Sequence, residues 1–150
     1  HNVTLVQKAA GHQPNSLLLY RSAKWSQDDT SGRTQSSSLV LRDEDANDEN
    51  AVRVEVVDII AYLEALDRDI RIIKMDIEGA EYDVLEGLLG SELRPRQLLI
   101  EFHHRHTGLD KSQTVAAVND LREAVYALAD IASTGREFTF LLKSELGGVA

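Results

Sequence analysis

Between Ile70 and Met75 the chain is apolar at every position except Arg71 and Lys74, and three carboxylates follow at once, Asp76, Glu78 and Glu81. A short continuous apolar run suits a strand covered on both faces. Carboxylates at its exit need water, a cation or a hydrogen-bonding ligand, because burying them unpaired is costly. The chain must therefore place a buried strand and a polar crevice end to end, with Asp76-Ile77-Glu78-Gly79 as the tight turn between them. Gly79 lets the backbone bend sharply or approach a ligand there.

The flanking segments extend this pattern. Val52-Arg53-Val54-Glu55-Val56 alternates strictly and reads as a strand with one buried face. Asp58 then caps a helix whose apolar face is Ile59, Ile60, Leu63 and Leu66, ended by Asp67 to Asp69. After the turn, Ala80, Val84, Leu85, Leu88 and Leu89 mark a second helix that stops at Gly90 before Pro95. Gln97 to Phe102 is a further strand. Strand, helix, strand, helix, strand is the order of an α/β fold, a parallel sheet with crossover helices, and ligands in such sheets sit at the carboxyl ends of the strands. A third helix is expected from Lys111 to about Val125, with Val115, Val118, Leu121 and Val125 as its stripe. A closing antiparallel hairpin over Tyr126 to Leu142 turns at Ser133-Thr134-Gly135-Arg136. Upstream, Val3 to Val6 and Leu17 to Tyr20 read as two short strands. Residues 22–50 are nearly devoid of apolar side chains and end in a run of acids, which marks a solvated surface loop with no assigned role.

Size and charge narrow the function classes. At 150 residues the chain suits one domain spanning residues 1–150, and no apolar run approaches the length of a membrane span. With 16 Lys plus Arg against 25 Asp plus Glu, the net charge of -9 repels nucleic acid. The lack of cysteine excludes thiol catalysis and cysteine-ligated zinc. The first residues show no charged-then-apolar secretory leader, so a cytoplasmic location is expected, and the start at His1 suggests a chain cut from something longer.

Two places could carry chemistry. In the turn, Asp76 and Glu78 are the candidate functional acids, whereas Glu81 in the first helical turn has a sufficient reason in the helix dipole alone. In Leu99-Ile100-Glu101-Phe102-His103-His104-Arg105-His106, Glu101 and His103 lie two apart on a strand end and so face one crevice. Glu101 could orient His103, and His103 could remove a proton near neutral pH. The spacing of the three histidines matches no standard zinc site, so His104 and His106 are assigned to a solvated loop and Lys74 to pairing with a neighbouring acid.

Ile72 to Leu85, read as Ile-Ile-Lys-Met-Asp-Ile-Glu-Gly-Ala-Glu-Tyr-Asp-Val-Leu, closely resembles the "K-hydrophobic-D-hydrophobic-E-G-A-E … V-L" signature of the FkbM-type S-adenosylmethionine-dependent methyltransferases. The resemblance runs from about Val52 to Leu142 and extends to the segment at Val3 to Ala10. It implies a Rossmann-like class I methyltransferase fold, a seven-stranded sheet closed by an antiparallel last strand. It also implies O-methylation of a small-molecule or carbohydrate acceptor, with S-adenosylmethionine as cofactor. In that fold the cofactor lies on a glycine-rich loop after the first strand, and no G-x-G-x-G follows a strand in this sequence. The chain would then correspond to the third strand onward, lacking the first strands, and no cofactor-binding residue is assigned. The missing neighbour would leave an edge of the Ile70 to Met75 strand exposed and favour a homo-oligomer.

On this reading Asp76, Glu78, Glu101 and His103 are the catalytic candidates. Asp76 and Glu78 bind acceptor hydroxyls directly or, as a lesser alternative, through Mg²⁺, with His103 or Glu101 as base. Two competing readings remain: a catalytically silent binding or assembly module of the same fold, and a carboxylate-based hydrolase using Asp76, Glu78 and Glu101.

Overall fold

The computed structural model describes residues 3–13, 15–20, 51–104 and 109–147. Its first strands are β1 (Ala9–Gly11), β2 (Asn15–Tyr20) and β3 (Ala51–Asp58). β3 is the middle of the three. β1 lies parallel to it, with Ala9 opposite Val56, and β2 antiparallel, with Asn15 opposite Val56 and Tyr20 opposite Ala51. The strand expected at Val3 to Val6 does not form: those residues carry no regular structure, and Val3 and Leu5 are exposed. β-branching supplies propensity, but a strand also needs a partner, and both edges of β3 are taken by β1 and β2. The surface loop expected over 22–50 lies outside the described residues.

Asp58 ends β3 and caps helix α1 (Ile59–Glu64), its Oδ1 accepting from the backbone N–H of Ile60 and Ala61 at 3.0 and 3.1 Å. The helix stops short of Leu66, which is exposed, so its apolar face is one turn shorter than the spacing suggests. The chain then forms β4 (Ile72–Met75), α2 (Glu81–Gly90) and β5 (Gln97–Glu101). β4 and β5 are parallel, from Ile72 opposite Gln97 to Met75 opposite Ile100. Helix α3 (Lys111–Ala124) starts at a capping box. The Asp110 carboxylate accepts from the Ser112 and Gln113 backbone, while the Gln113 side chain accepts from the Asp110 N–H. The expected hairpin is present as β6 (Tyr126–Ile131) and β7 (Glu137–Leu142), with β7 antiparallel to both β6 and β5.

The described residues therefore form two sheets, β1-β3-β2 and β4-β5-β7-β6, rather than one parallel sheet. β3 is paired on both sides by β1 and β2, and β4 pairs with β5 in the other sheet. Within its sheet β4 bonds only β5 and stands at the edge. Coverage on both faces also fails: Met75 is buried and Ile73 packs on the core, but Ile72 is 58% exposed and Lys74 is exposed.

The core sits between the four-stranded sheet and the helices. Leu98, Ile100 and Phe102 from β5 and its continuation meet Phe138 and Phe140 of β7, Val84, Leu85 and Leu88 of α2, and Leu121 of α3. Val115 is exposed and does not belong to the α3 stripe, and Thr114 takes the buried place beside Leu121. Tyr126 is fully buried, and its hydroxyl donates to the Pro95 carbonyl at 3.0 Å. Burial pushes this phenol up to about 12. No helix among the described residues is long and apolar enough to cross a membrane.

Gly87 shows how closely α2 approaches the end of β1. A Cβ there would stand 2.3 Å from His12 Nδ1. A helical glycine costs roughly 1 kcal/mol relative to alanine, and the His12 ring occupies the space a Cβ would need. Gly87→Ala is expected to lower stability in the native background and to raise it, by up to about 1 kcal/mol, once His12→Ala has removed the ring. Chemical denaturation of the double-mutant cycle checks this. The same sign in both backgrounds would show that the ring does not constrain the helix.

Candidate active site

The parallel ladder of β4 and β5 ends with Met75 opposite Ile100, so Asp76 and Glu101 leave neighbouring strands together. Phe102 then turns into the core, where it packs edge-on against Phe138 at 5.2 Å and lies 5.6 Å from Tyr82. Its backbone N–H donates to the Arg136 carbonyl at 2.9 Å. With Phe102 anchored inward, alternation sends Glu101 and His103 toward the opposite side.

Glu81 organises what they meet. It is 0% exposed at the start of α2, and its carboxylate accepts from the backbone N–H of Ile77 at 3.1 Å and of Gly79 at 3.1 and 3.2 Å. The 76–79 turn thus wraps around a side chain that lies after it in sequence. That wrapping requires left-handed backbone, with φ of 55° at Glu78 and 110° at Gly79. Glycine takes this conformation freely, whereas a residue with a Cβ is strained by about 1–3 kcal/mol. The Glu78 side chain is swung toward His103 by this turn.

Glu81 Oε1 also lies 2.8 Å from His103 Nδ1. A carboxylate oxygen at this distance is placed to accept from a proton on Nδ1, which the imidazolium form carries in any case. The other ring nitrogen, Nε2, faces Glu78 Oε2 at 3.6 Å, Asp76 Oδ1 at 3.7 Å and Glu101 Oε1 at 3.9 Å. Asp76, Glu78 and His103 each offer one metal-ligating atom, all within 4.8 Å of one another. Burial pushes the imidazole pKa down, but the hydrogen bond and charge of Glu81, reinforced by Glu78 and Glu101, outweigh it, and the net shift is upward.

The four candidate residues Asp76, Glu78, Glu101 and His103 are thus brought to one place, but the partners differ from those expected. Glu101 faces His103 from the Nε2 side at 3.9 Å, where Arg136 Nη2 also pairs with it at 3.4 Å. The orienting carboxylate is Glu81, whose role reaches beyond the helix dipole. His104 is half-buried rather than in a solvated loop, its Nδ1 3.4 Å from Thr114 Oγ1, which is 2.9 Å from the Tyr82 hydroxyl. Burial raises the Tyr82 pKa against the lowering effect of that hydrogen bond. Lys74 makes no ion pair among the described residues, and His106 lies outside them. Sequence reasoning missed Arg136 and Thr114. A capping signature, Asp110 with Gln113, could have placed Thr114 in the first turns of α3, but nothing local marks Arg136 as a partner of Glu101.

The family model described as the methyltransferase FkbM domain matches residues 1–130. Neither the curated proteins nor the solved structures include a match to this chain.

The raised pKa of His103 sets the sign of a pH effect. Stability from its contact with Glu81 is fully present below the ordinary imidazole value of about 6.5 and is lost as pH rises through the higher folded value. Thermal melts in chelated buffer at constant ionic strength should show the gap between the native protein and His103→Gln greatest at acid pH and narrowing toward alkaline pH. A gap that widens with pH would contradict this electrostatic account.

Proposed function

The chain belongs to the FkbM methyltransferase domain family, and from that premise we propose that it serves S-adenosylmethionine-dependent O-methylation of a hydroxyl on a sugar or another small metabolite. The observation that carries this reading is the set of three carboxylates, Asp76, Glu78 and Glu101, around His103 Nε2 at the carboxyl ends of two parallel strands. Acceptor-only groups facing an imidazole suit a polyhydroxylated ligand, whose O–H groups donate. Bound S-adenosylmethionine would supply an electrophilic methyl group. Because this sequence has no G-x-G-x-G after a strand and the donor set at the site is acidic, none of its residues is assigned to the cofactor.

On the acceptor side the work divides as follows. Asp76 and Glu78 accept hydrogen bonds from acceptor hydroxyls and fix their orientation, and alignment of this kind supplies much of the rate in a displacement reaction. The proton of the reacting hydroxyl passes to the pair formed by His103 and Glu101. Glu81 holds the imidazole through Nδ1, and Arg136 holds Glu101. A second reading is a silent binding module of the same fold, whose signature is carbohydrate binding without turnover.

The test is transfer of a labelled methyl group from S-adenosylmethionine to a panel of sugars and hydroxylated metabolites. Asp76→Asn is expected to abolish transfer and to leave the melting temperature nearly unchanged, since the side chain is 47% exposed. His103→Ala is expected to cost roughly 10²- to 10⁴-fold in rate. Acceptor binding with no methylation in the native protein would establish the silent module instead, and full activity in Asp76→Asn would remove that carboxylate from the site.

A further inference from the structure

Helices α2 and α3 are tied near their starts, where the Tyr82 hydroxyl stands 2.9 Å from Thr114 Oγ1. Between them lies a groove of about 450 Å³. Apart from Asp83, its lining falls at positions 82, 85, 86 and 89 of α2 and at 113, 116, 117 and 120 of α3. Both sets have the spacing i, i+3, i+4, i+7 that marks one face of a helix. Each stripe is about 10 Å long, or two turns. The floor is apolar: Leu85 is buried and Leu89 half-buried, and Ala116 and Ala117 leave space that larger side chains on α3 would fill. Two helical stripes with a trough between them are the shape into which a third helix packs.

The rim carries charge of one sign. Asp83, Glu86 and Asp120 are exposed along it, and no Lys or Arg is among the lining residues. Asp83 is favoured by the dipole of α2, in whose first turn it lies. Glu86 and Asp120 have no such support. Each instead has a like charge three residues away on its own helix, Asp83 and Glu123, which is a repulsive spacing. The same charge selects the occupant. A second copy of this chain, with a net charge of -9 and the same acidic rim, is repelled, as are nucleic acid and anionic lipid. The stretch 22–50 is itself net acidic. An apolar floor within an acidic rim is complementary to an apolar stripe flanked by Lys and Arg.

We propose that the groove between α2 and α3 is the docking site for a cationic amphipathic helix of a partner protein. Small apolar side chains of that helix enter the floor over Ala116 and Ala117, and its Lys and Arg side chains meet Asp83, Glu86 and Asp120. Recognition of this kind draws affinity from the apolar face laid in the groove. The rim charges steer the encounter, fix register and reject acidic partners. None of Asp76, Glu78, Glu101 and His103 lines the groove, so the inference goes beyond the O-methylation reading and stands without it.

The probe is a fluorescein-labelled peptide of about 18 residues, long enough to be helical, with Leu and Ala on one face and Lys on the other. Its binding to the native chain is followed by fluorescence anisotropy. Binding is expected, weaker as salt rises, and reduced at least about ten-fold in the double variant Glu86→Lys/Asp120→Lys. The matched variant Glu123→Lys/Asp130→Lys makes the same change in net charge at exposed positions outside the groove and should keep affinity within about two-fold. Ala116→Glu separates space from charge: it adds an acid but fills the floor, and is expected to weaken binding at least about five-fold. All these positions are exposed, so the variants retain the fold. Absence of binding, equal binding of a peptide of the same composition in scrambled order, equal loss in the matched variant or tightening by Ala116→Glu would overturn the proposal. A dimer seen in sedimentation velocity that dissociates in Glu86→Lys/Asp120→Lys would overturn it too, in favour of a second copy as the occupant.

Discussion

A fully buried carboxylate at the start of α2 governs the region where chemistry is proposed. Taking an ionised Glu81 out of water costs several kcal/mol unless its oxygens are satisfied. The backbone N–H groups of Ile77 and Gly79 and the Nδ1–H of His103 satisfy them. The helix N-terminus favours the same negative charge. In meeting this demand the turn takes positive φ at Glu78 and Gly79, and the imidazole is held with Nδ1 against the buried carboxylate. One desolvated group thereby sets the path of the chain, the direction of the Glu78 side chain and the nitrogen that His103 presents to the crevice.

The sheet supplies the other half of the geometry. Parallel pairing brings the exits of β4 and β5 side by side. The aromatic contacts of Phe102 with Tyr82 and Phe138 anchor the inward position between Glu101 and His103. The residue just before β7 contributes twice, through the Arg136 carbonyl that receives the Phe102 N–H and through the guanidinium that holds Glu101. The closing hairpin therefore belongs to the site as well as to the fold, although it lies far from the turn in sequence.

Much of this was legible from periodicity. The alternation at Val52 to Val56, the helical spacing of Val84, Leu85 and Leu88, and the alternation of Phe138 and Phe140 each describe one face of one element, and local sequence encodes faces well. The two-residue spacing of Glu101 and His103 placed both in one crevice for the same reason. Val3 to Val6 misled because strand propensity does not say whether a partner edge is available. Ile72 and Lys74 misled because an apolar run does not reveal whether its strand is central or at an edge. The part of Glu81 was hidden by adequacy: a carboxylate in the first turn of a helix already has a local explanation. Arg136 and Thr114 act across pairings that no spacing rule contains.

In the function proposed for this member of the family, the crevice depends on a single imidazole held from behind by Glu81. The most direct measurement of that claim is heteronuclear NMR of the His103 ring nitrogens in the neutral state. The account requires the proton on Nδ1, with a downfield resonance that marks a strong hydrogen bond and disappears in Glu81→Gln. A proton on Nε2, or rapid averaging between the two nitrogens unaffected by Glu81→Gln, would show that the buried carboxylate does not orient the ring, and the account would fail at its foundation.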